Sequence, residues 1–241
     1  MSTIENNELL KKGMEIYRID VGVETIEKFE IYMKLLLEWN QKFNLTAITD
    51  EREIITKHFL DSISCIQSGY DFSKSKVIDV GTGAGFPAVP IKIVAPDMKL
   101  TLLDSLNKRT LFLQELTSKL GLNCEIIHGR AEDFGVKKGY RESYDIVLSR
   151  AVAKMAVLVE YMLPFVKVGG ALICQKGPAV YEEASEAKGA IDILGGSIKE
   201  IISTNVYNSN FNHYIAIVEK VKVCPGKYPR KAGMIEKSPI K

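Results

Sequence analysis

Val77-Ile78-Asp79-Val80-Gly81-Thr82-Gly83-Ala84-Gly85-Phe86-Pro87 is a β-branched apolar run that passes without a spacer into alternating glycines. A strand feeding a glycine-rich turn and then a helix is the pattern expected there. Glycine lets a ligand approach the backbone closely, and the N-terminus of the following helix offers unpaired N–H groups to it. A purely structural tight turn is the alternative reading. The spacing also separates ligand classes. A dinucleotide fingerprint reads G-x-G-x-x-G, whereas here the third glycine comes one residue early and is followed by Phe86-Pro87, so no tight pyrophosphate turn is demanded.

Toward the C-terminus, short apolar runs alternate with helical stretches. The runs are LTLLD (100–104), CEIIH (124–128), YDIVLS (144–149) and GALICQ (170–175). Between them, Leu106 to Leu120 carries a helical stripe stopped by Gly121, Lys154 to Phe165 carries another ahead of Gly169-Gly170, and Tyr181 to Leu194 a third. Such alternation predicts an α/β fold with a mostly parallel sheet covered on both faces. Two further strand-like runs, Ile198 to Ser203 and Tyr214 to Val218, flank the turn-rich Tyr207-Asn208-Ser209-Asn210.

Toward the N-terminus, Ile26, Phe29, Met33, Leu36, Leu37 and Phe43 recur at helical spacing, and Asp50 with Glu53 forms a capping-box pattern ahead of Ile54, Ile55 and Phe59. The chain therefore divides in sequence into a helical cap (1–70), an α/β domain (71–220) and a basic tail (221–241). Lys222, Lys227, Arg230, Lys231, Lys237 and Lys241 mark the tail.

The 241 residues are 46% hydrophobic and 26% charged, the composition of a globular chain, and the net charge of +2 names no polyanionic partner by itself. Four dispersed cysteines without a C-x-x-C pair, and three histidines, make no metal site, so buried thiols in a reducing cytoplasm are expected. The first twenty residues carry scattered charge rather than a signal-type apolar run. No stretch reaches the ~18 apolar residues of a membrane span. Neither secretion nor a membrane is expected.

Two other segments could bind a ligand. Asp104 closes the second strand, where a carboxylate can accept from a ribose; it could equally cap the following helix. His128-Gly129-Arg130-Ala131-Glu132-Asp133 follows the third strand, where a small residue and an acid could bracket an adenine edge. A plain surface turn is the alternative.

Trp39-Asn40, Asn44-Leu45-Thr46-Ala47-Ile48, His58-Phe59-Leu60-Asp61-Ser62, the glycine loop, Gly129-Arg130-Ala131-Glu132 and Ser149-Arg150-Ala151-Val152-Ala153 together resemble the G-type 16S ribosomal RNA guanine-N7 methyltransferases, also called glucose-inhibited division protein B. The resemblance spans nearly the whole chain in order. Lys176-Gly177 and Tyr228-Pro229-Arg230-Lys231-Ala232-Gly233 also fit it, whereas Met234-Ile235-Glu236 departs from it. It implies a Rossmann-like class I methyltransferase whose last strand is antiparallel. It further implies transfer of a methyl group from S-adenosylmethionine, releasing S-adenosylhomocysteine, to N7 of a guanine in the decoding-region loop of small-subunit ribosomal RNA. The substrate would be the subunit or an assembly intermediate, and the enzyme a cytoplasmic monomer. Carried over residue by residue, the cofactor contacts are Gly81, Phe86, Asp104, Ala131, Glu132 and Arg150.

Guanine N7 has a lone pair and no proton, so no general base is expected, and catalysis should rest on alignment of the reactants. Arg130, Arg150 and Lys176 are the candidates for positioning substrate, with surface ion pairing as the alternative for Arg130 and Arg150. Lys137, Lys138, Arg141, Arg230 and Lys231 could form a phosphate-contacting face or simply a solvated one. Phe86 could stack on a base or pack at the helix start. Trp39, His58 and His213 read as core or satisfied polar residues.

Overall fold

The computed structural model describes residues 3–150, 153–210, 212–231 and 233–240. Ala151 and Val152 of the Ser-Arg-Ala-Val-Ala motif, and Ala232 and Lys241 of the tail, lie outside the described residues.

Seven strands form one sheet in the order β3-β2-β1-β4-β5-β7-β6. They are β1 (Lys76–Val80), β2 (Lys99–Asp104), β3 (Cys124–His128), β4 (Tyr144–Arg150), β5 (Val166–Lys176), β6 (Gly196–Thr204) and β7 (His213–Lys220). The first five pair in parallel, while β7 runs antiparallel between β5 and β6. Every expected strand forms, and the class I methyltransferase architecture expected from the resemblance is the one observed. Strand β5 starts earlier than its sequence suggests, at Val166.

Alternation along each strand feeds two cores. Val77, Leu100, Leu102, Ile146, Leu148, Ala171 and Ile173 face one side, where α5 (Ala88–Val94) and α6 (Asn107–Lys119) pack. Ile78, Val80, Leu103, Val147, Leu172 and Cys174 face the other, under α8 (Met155–Met162) and α9 (Val180–Ile193). The short α7 (Ala131–Phe134) follows β3.

The N-terminal helices share the first core rather than forming one of their own. They are α1 (Thr3–Ile16), α2 (Val23–Phe43) and a run from α3 (Glu51–Glu53) through a π-helical turn (Ile54–Leu60), α4 (Asp61–Ile63) and a 3-10 turn (Ser64–Ser68). Helix α2 buries Ile26, Phe29, Tyr32, Leu35 and Leu36 and stops at Asn44, whose left-handed backbone (φ 48°) is tolerated by an asparagine. The Asp50 carboxylate accepts from Glu53 N at 2.9 Å, as the capping pattern predicts.

The tail folds back on the domain and ends in α10 (Met234–Lys237). Cys224 and Tyr228 enter the second core. The Arg141 guanidinium donates to the carbonyls of Gly135, Cys224, Pro225 and Tyr228, and Lys220, fully buried, donates to Leu163 O at 2.6 Å. Burial pushes the Cys174 thiol up to about 12, so this free cysteine behaves as a core residue.

Candidate active site

Parallel register brings the carboxyl ends of β1, β2 and β3 side by side. Val80 pairs with Leu103, and Asp104 pairs with His128. Gly81 N then donates to Leu103 O at 2.8 Å and Gly129 N to Asp104 O at 3.0 Å, so the loops after the three strands form one edge. Strand order reverses between β1 and β4, and the crevice at such a switch point is where open α/β sheets bind ligands.

Within the glycine loop, two glycines do different jobs. Gly83 (φ 63°) has open space where a Cβ would lie, whereas at Gly85 (φ 93°) a Cβ would sit 2.7 Å from Val89 and 2.8 Å from the Tyr32 hydroxyl. The first keeps a cradle open. The second lets the cap close on the loop, and Tyr32 seals it by donating to Ala84 O at 2.5 Å. Asp79, wholly buried beneath, accepts from Thr82 Oγ1 at 2.8 Å and Ala88 N at 3.2 Å through one oxygen, while its other oxygen has no hydrogen-bond partner among the described residues. Burial pushes its carboxyl up to about 7.

Asp104 is held by its neighbours on both sides. Its Oδ1 accepts from Leu106 N at 2.9 Å, shaping the entry to α6, and its Oδ2 accepts from Gly83 N at 2.8 Å with Arg109 at 3.4 Å. A carboxylate has about four acceptor positions, so capacity for a ribose remains. Two cavities meet at this residue. One, of about 420 Å³, is lined by the glycine loop, Ser105, Arg109, Arg150, Phe86 and, from the cap, Leu45, Thr46 and His58. The other, of about 190 Å³, is lined by Val80, Gly129, Arg130, Ala131, Glu132, Tyr161 and Glu236. Gly81, Asp104 and Ser105 border both.

Arg150, at the end of β4, ties the cap to this edge. It donates to Lys57 O (3.3 Å), Asp61 Oδ2 (3.4 Å), Ser62 Oγ (3.4 Å) and His58 Nδ1 (3.3 Å) and lies 4.7 Å from the Phe86 ring centroid. Fully buried Asp61 also meets His213 Nδ1 at 2.7 Å, and its carbonyl accepts from Gln175 at 2.6 Å. Trp39 Nε1 donates to Glu115 at 2.9 Å. His58 is neutral: burial, then the charge of Arg150, pushes it down to about 3.

Gly81, Asp104, Ala131 and Glu132 thus converge on one bipartite groove, with Phe86 and Arg150 at one end and Arg130 at the other. The Phe86 ring is not free to stack on a base, because it is buried between Tyr32 (centroids 5.3 Å apart) and His58 (4.6 Å apart). Lys176 sits apart from the groove. It donates to Ala153 O and Glu183 in a neighbouring cavity that also touches Arg150, Lys154 and Gln175. Arg130 lies 3.6 Å from Glu132.

Two of the five basic residues expected on a phosphate-contacting face are structural struts. Arg141 spends its guanidinium on the carbonyls named above. Arg230 grips the fully buried Glu160 in a fork, with Nε–Oε1 at 2.8 Å and Nη2–Oε2 at 2.6 Å. Lys137, Lys138 and Lys231 remain exposed. Sequence reasoning gave no site role to Thr46, Arg109, Tyr161 or Glu236 and read His58 as bland. Their signal is topological, since the cap loop and the tail reach the groove only after the chain has folded.

The geometry describes a class of fold, and comparison with known proteins narrows it. NSun6 from Pyrococcus horikoshii, solved with the ligand SFG, shares the fold at a TM-score of 0.55 and 15% identity, over 68% of this chain and 52% of that one. Proteins named Ribosomal RNA small subunit methyltransferase G are far nearer in sequence. That of Alkaliphilus oremlandii is 53% identical, over 99% of this chain and all of its own length, and that of Alkaliphilus metalliredigens is 49% identical over the same shares. The family described as rRNA small subunit methyltransferase G matches residues 25–211, a span that holds the cap loop, the glycine loop, Asp104, Glu132 and Arg150, and the chain belongs to that family.

Proposed function

We propose that this enzyme methylates N7 of a guanine in the decoding-region loop of small-subunit ribosomal RNA, using S-adenosylmethionine. The observation that carries the proposal is the bipartite groove at the carboxyl edge, hinged on Asp104. It suits an elongated molecule with a ribose in the middle. The fit is specific to these residues: the Asp104 carboxylate borders both cavities, Gly83 leaves open the space a Cβ would fill, and Glu132 and Ala131 line the far end. Asp104 would hold the ribose, Glu132 and Ala131 the adenine end, and the loop at Gly81 to Ala84 the amino-acid end. When bound, S-adenosylmethionine supplies an electrophilic methyl group.

The chain's own residues then position and exclude. Guanine N7 needs no base, and neither His58 nor Asp79 is placed to act as one. His58 is neutral with both ring nitrogens engaged, and Asp79 lies buried under the loop. Holding two reactants in line can supply roughly 7–11 kcal/mol. N7 faces the deep, narrow groove of A-form RNA, so the target base must be unpaired or extruded to enter. Exposed Lys137, Lys138 and Lys231 would contact phosphates. A monomer leaves the carboxyl edge open to a substrate as bulky as a ribosomal subunit.

The test is transfer of labelled methyl to small subunits that lack the mark, followed by chain cleavage at N7-methylguanine. One labelled guanine in the decoding-region loop is expected. Label elsewhere in the subunit, or only in another RNA, would overturn the acceptor assignment.

A further inference from the structure

The cap contributes one hydroxyl to the larger cavity, on Thr46, and its hydrogen-bonding capacity can be counted completely. Thr46 is half-buried in the loop after α2, where its N–H donates to Asn40 Oδ1 at 2.8 Å, so the loop is fixed. Two donors then reach its oxygen. Ile48 N lies 3.1 Å away and His58 Nε2 lies 2.8 Å away.

The direction of the histidine bond follows from Arg150. His58 Nδ1 lies 3.3 Å from Arg150 Nη2 and, although the Lys57 backbone also meets the ring, a guanidinium only donates, so this contact is a hydrogen bond only with the lone pair on Nδ1. The depressed basicity of the ring keeps it neutral. The single ring proton is therefore on Nε2 and is given to Thr46 Oγ1. A hydroxyl has two lone pairs and one proton. Both lone pairs are taken by Ile48 N–H and His58 Nε2–H, and among the described residues no acceptor receives the proton. Thr46 thus presents a donor, and only a donor, to the cavity it lines.

On the reading proposed above, we infer that Thr46 selects the acceptor base by donating its hydroxyl proton to O6 of the target guanine. O6 adjoins N7 on the same edge of guanine, so a donor placed there turns N7 toward the cofactor end of the groove. Adenine carries an amino donor at the corresponding position. A hydroxyl with free lone pairs could rotate to accept from that amino group, but this one has none left. A neutral donor also adds no positive charge beside a purine that becomes cationic on methylation, as an arginine would.

Thr46→Val also strips His58 Nε2–H and Ile48 N–H of their acceptor, so a slower enzyme alone would decide nothing. The decisive measurement compares kcat/KM for subunits carrying guanine or 2-aminopurine, which lacks O6, at the target position. The unaltered protein and Thr46→Ser should prefer guanine about tenfold more strongly than Thr46→Val does, the worth of one hydrogen bond. Affinity for S-adenosylhomocysteine should be equal in all three. An unchanged preference in Thr46→Val would overturn the inference, as would a loss of preference accompanied by weaker S-adenosylhomocysteine binding. Failure of the unaltered protein to methylate guanine subunits would instead remove the acceptor assignment, and this inference with it.

Discussion

The two walls of the larger cavity are built on different principles. The sheet wall is mainly loop backbone, joined by the Asp104 carboxylate and the Arg109 guanidinium: Gly81, Gly83 and Asp104 stand where parallel register puts three strand ends abreast. The cap wall consists of side chains held by other side chains, with Arg150 reaching from β4 to His58 and His58 to Thr46. A backbone wall tolerates little beyond glycine at its contact points. A side-chain wall can be retuned one group at a time. On the proposed reading, the invariant partner, the cofactor, lies on the sheet wall and the discriminating contacts come from the cap.

The strongest way to break this contrast is Gly81→Asp. Gly81 has a left-handed backbone (φ 73°) and borders both cavities, so a side chain and a charge there should weaken S-adenosylhomocysteine binding by about 100-fold or more. Calorimetric titration would show it, with far-ultraviolet circular dichroism unchanged. Retained affinity would remove the pocket from the sheet wall.

Next comes the division among basic residues. Arg230→Ala leaves the buried Glu160 carboxylate without its countercharge, held only by the N–H of residue 230, and should cost about 3 kcal/mol in denaturant unfolding. Lys137→Ala with Lys138→Ala should leave stability alone. It should lower the slope of log affinity for RNA against log salt by about 1–2. If the two pairs of outcomes were exchanged, the strut and surface assignments would be wrong.

The smallest effect is a pH dependence in which the walls oppose each other. Asp79, under the sheet wall, is raised from 3.8 to about 7, so the native state retains a proton that the unfolded chain releases. Its contribution to stability is present below about pH 4 and is lost as pH rises through 7. His58, in the cap wall, is lowered from 6.5 to about 3, so the unfolded chain takes up a proton that the native state refuses. Its contribution is present above pH 6.5 and is lost as pH falls toward 3. In the unaltered protein the two slopes offset. Asp79→Asn keeps an acceptor for Thr82 and Ala88, and its stability should rise more steeply between pH 4 and 6.5. A parallel pair of curves would contradict the assignment of Asp79.

The same contrast explains what could be read before folding. Strand periodicity and the glycine spacing are local patterns, so the sheet, its edge and Asp104 were legible from the chain. Of the cap wall, Arg150 was legible with a role through the family resemblance, and Thr46 and His58 only as motif members without one. Nothing in Asn-Leu-Thr-Ala-Ile or His-Phe-Leu-Asp-Ser tells that a π-helical turn carries His58 across to Arg150, a partner 92 positions later. Charge reading failed for a related reason. Arg230 and Arg141 look like a basic surface in sequence because Glu160 and the accepting carbonyls are distant in the chain. Phe86 could be read as stacking on a base or packing at the helix start, and the choice fell to packing only in the fold, because Tyr32 and His58, which cover it, belong to the cap.

Crystals of the protein grown with S-adenosylhomocysteine would test the assignment of the walls most directly. The ribose hydroxyls should lie on Asp104, the adenine between Ala131 and Glu132, and the amino-acid end along Gly81 to Ala84, with Thr46 untouched by the ligand. An adenine lodged against Thr46 and His58, or a carboxylate bonded to the Thr46 hydroxyl, would contradict it.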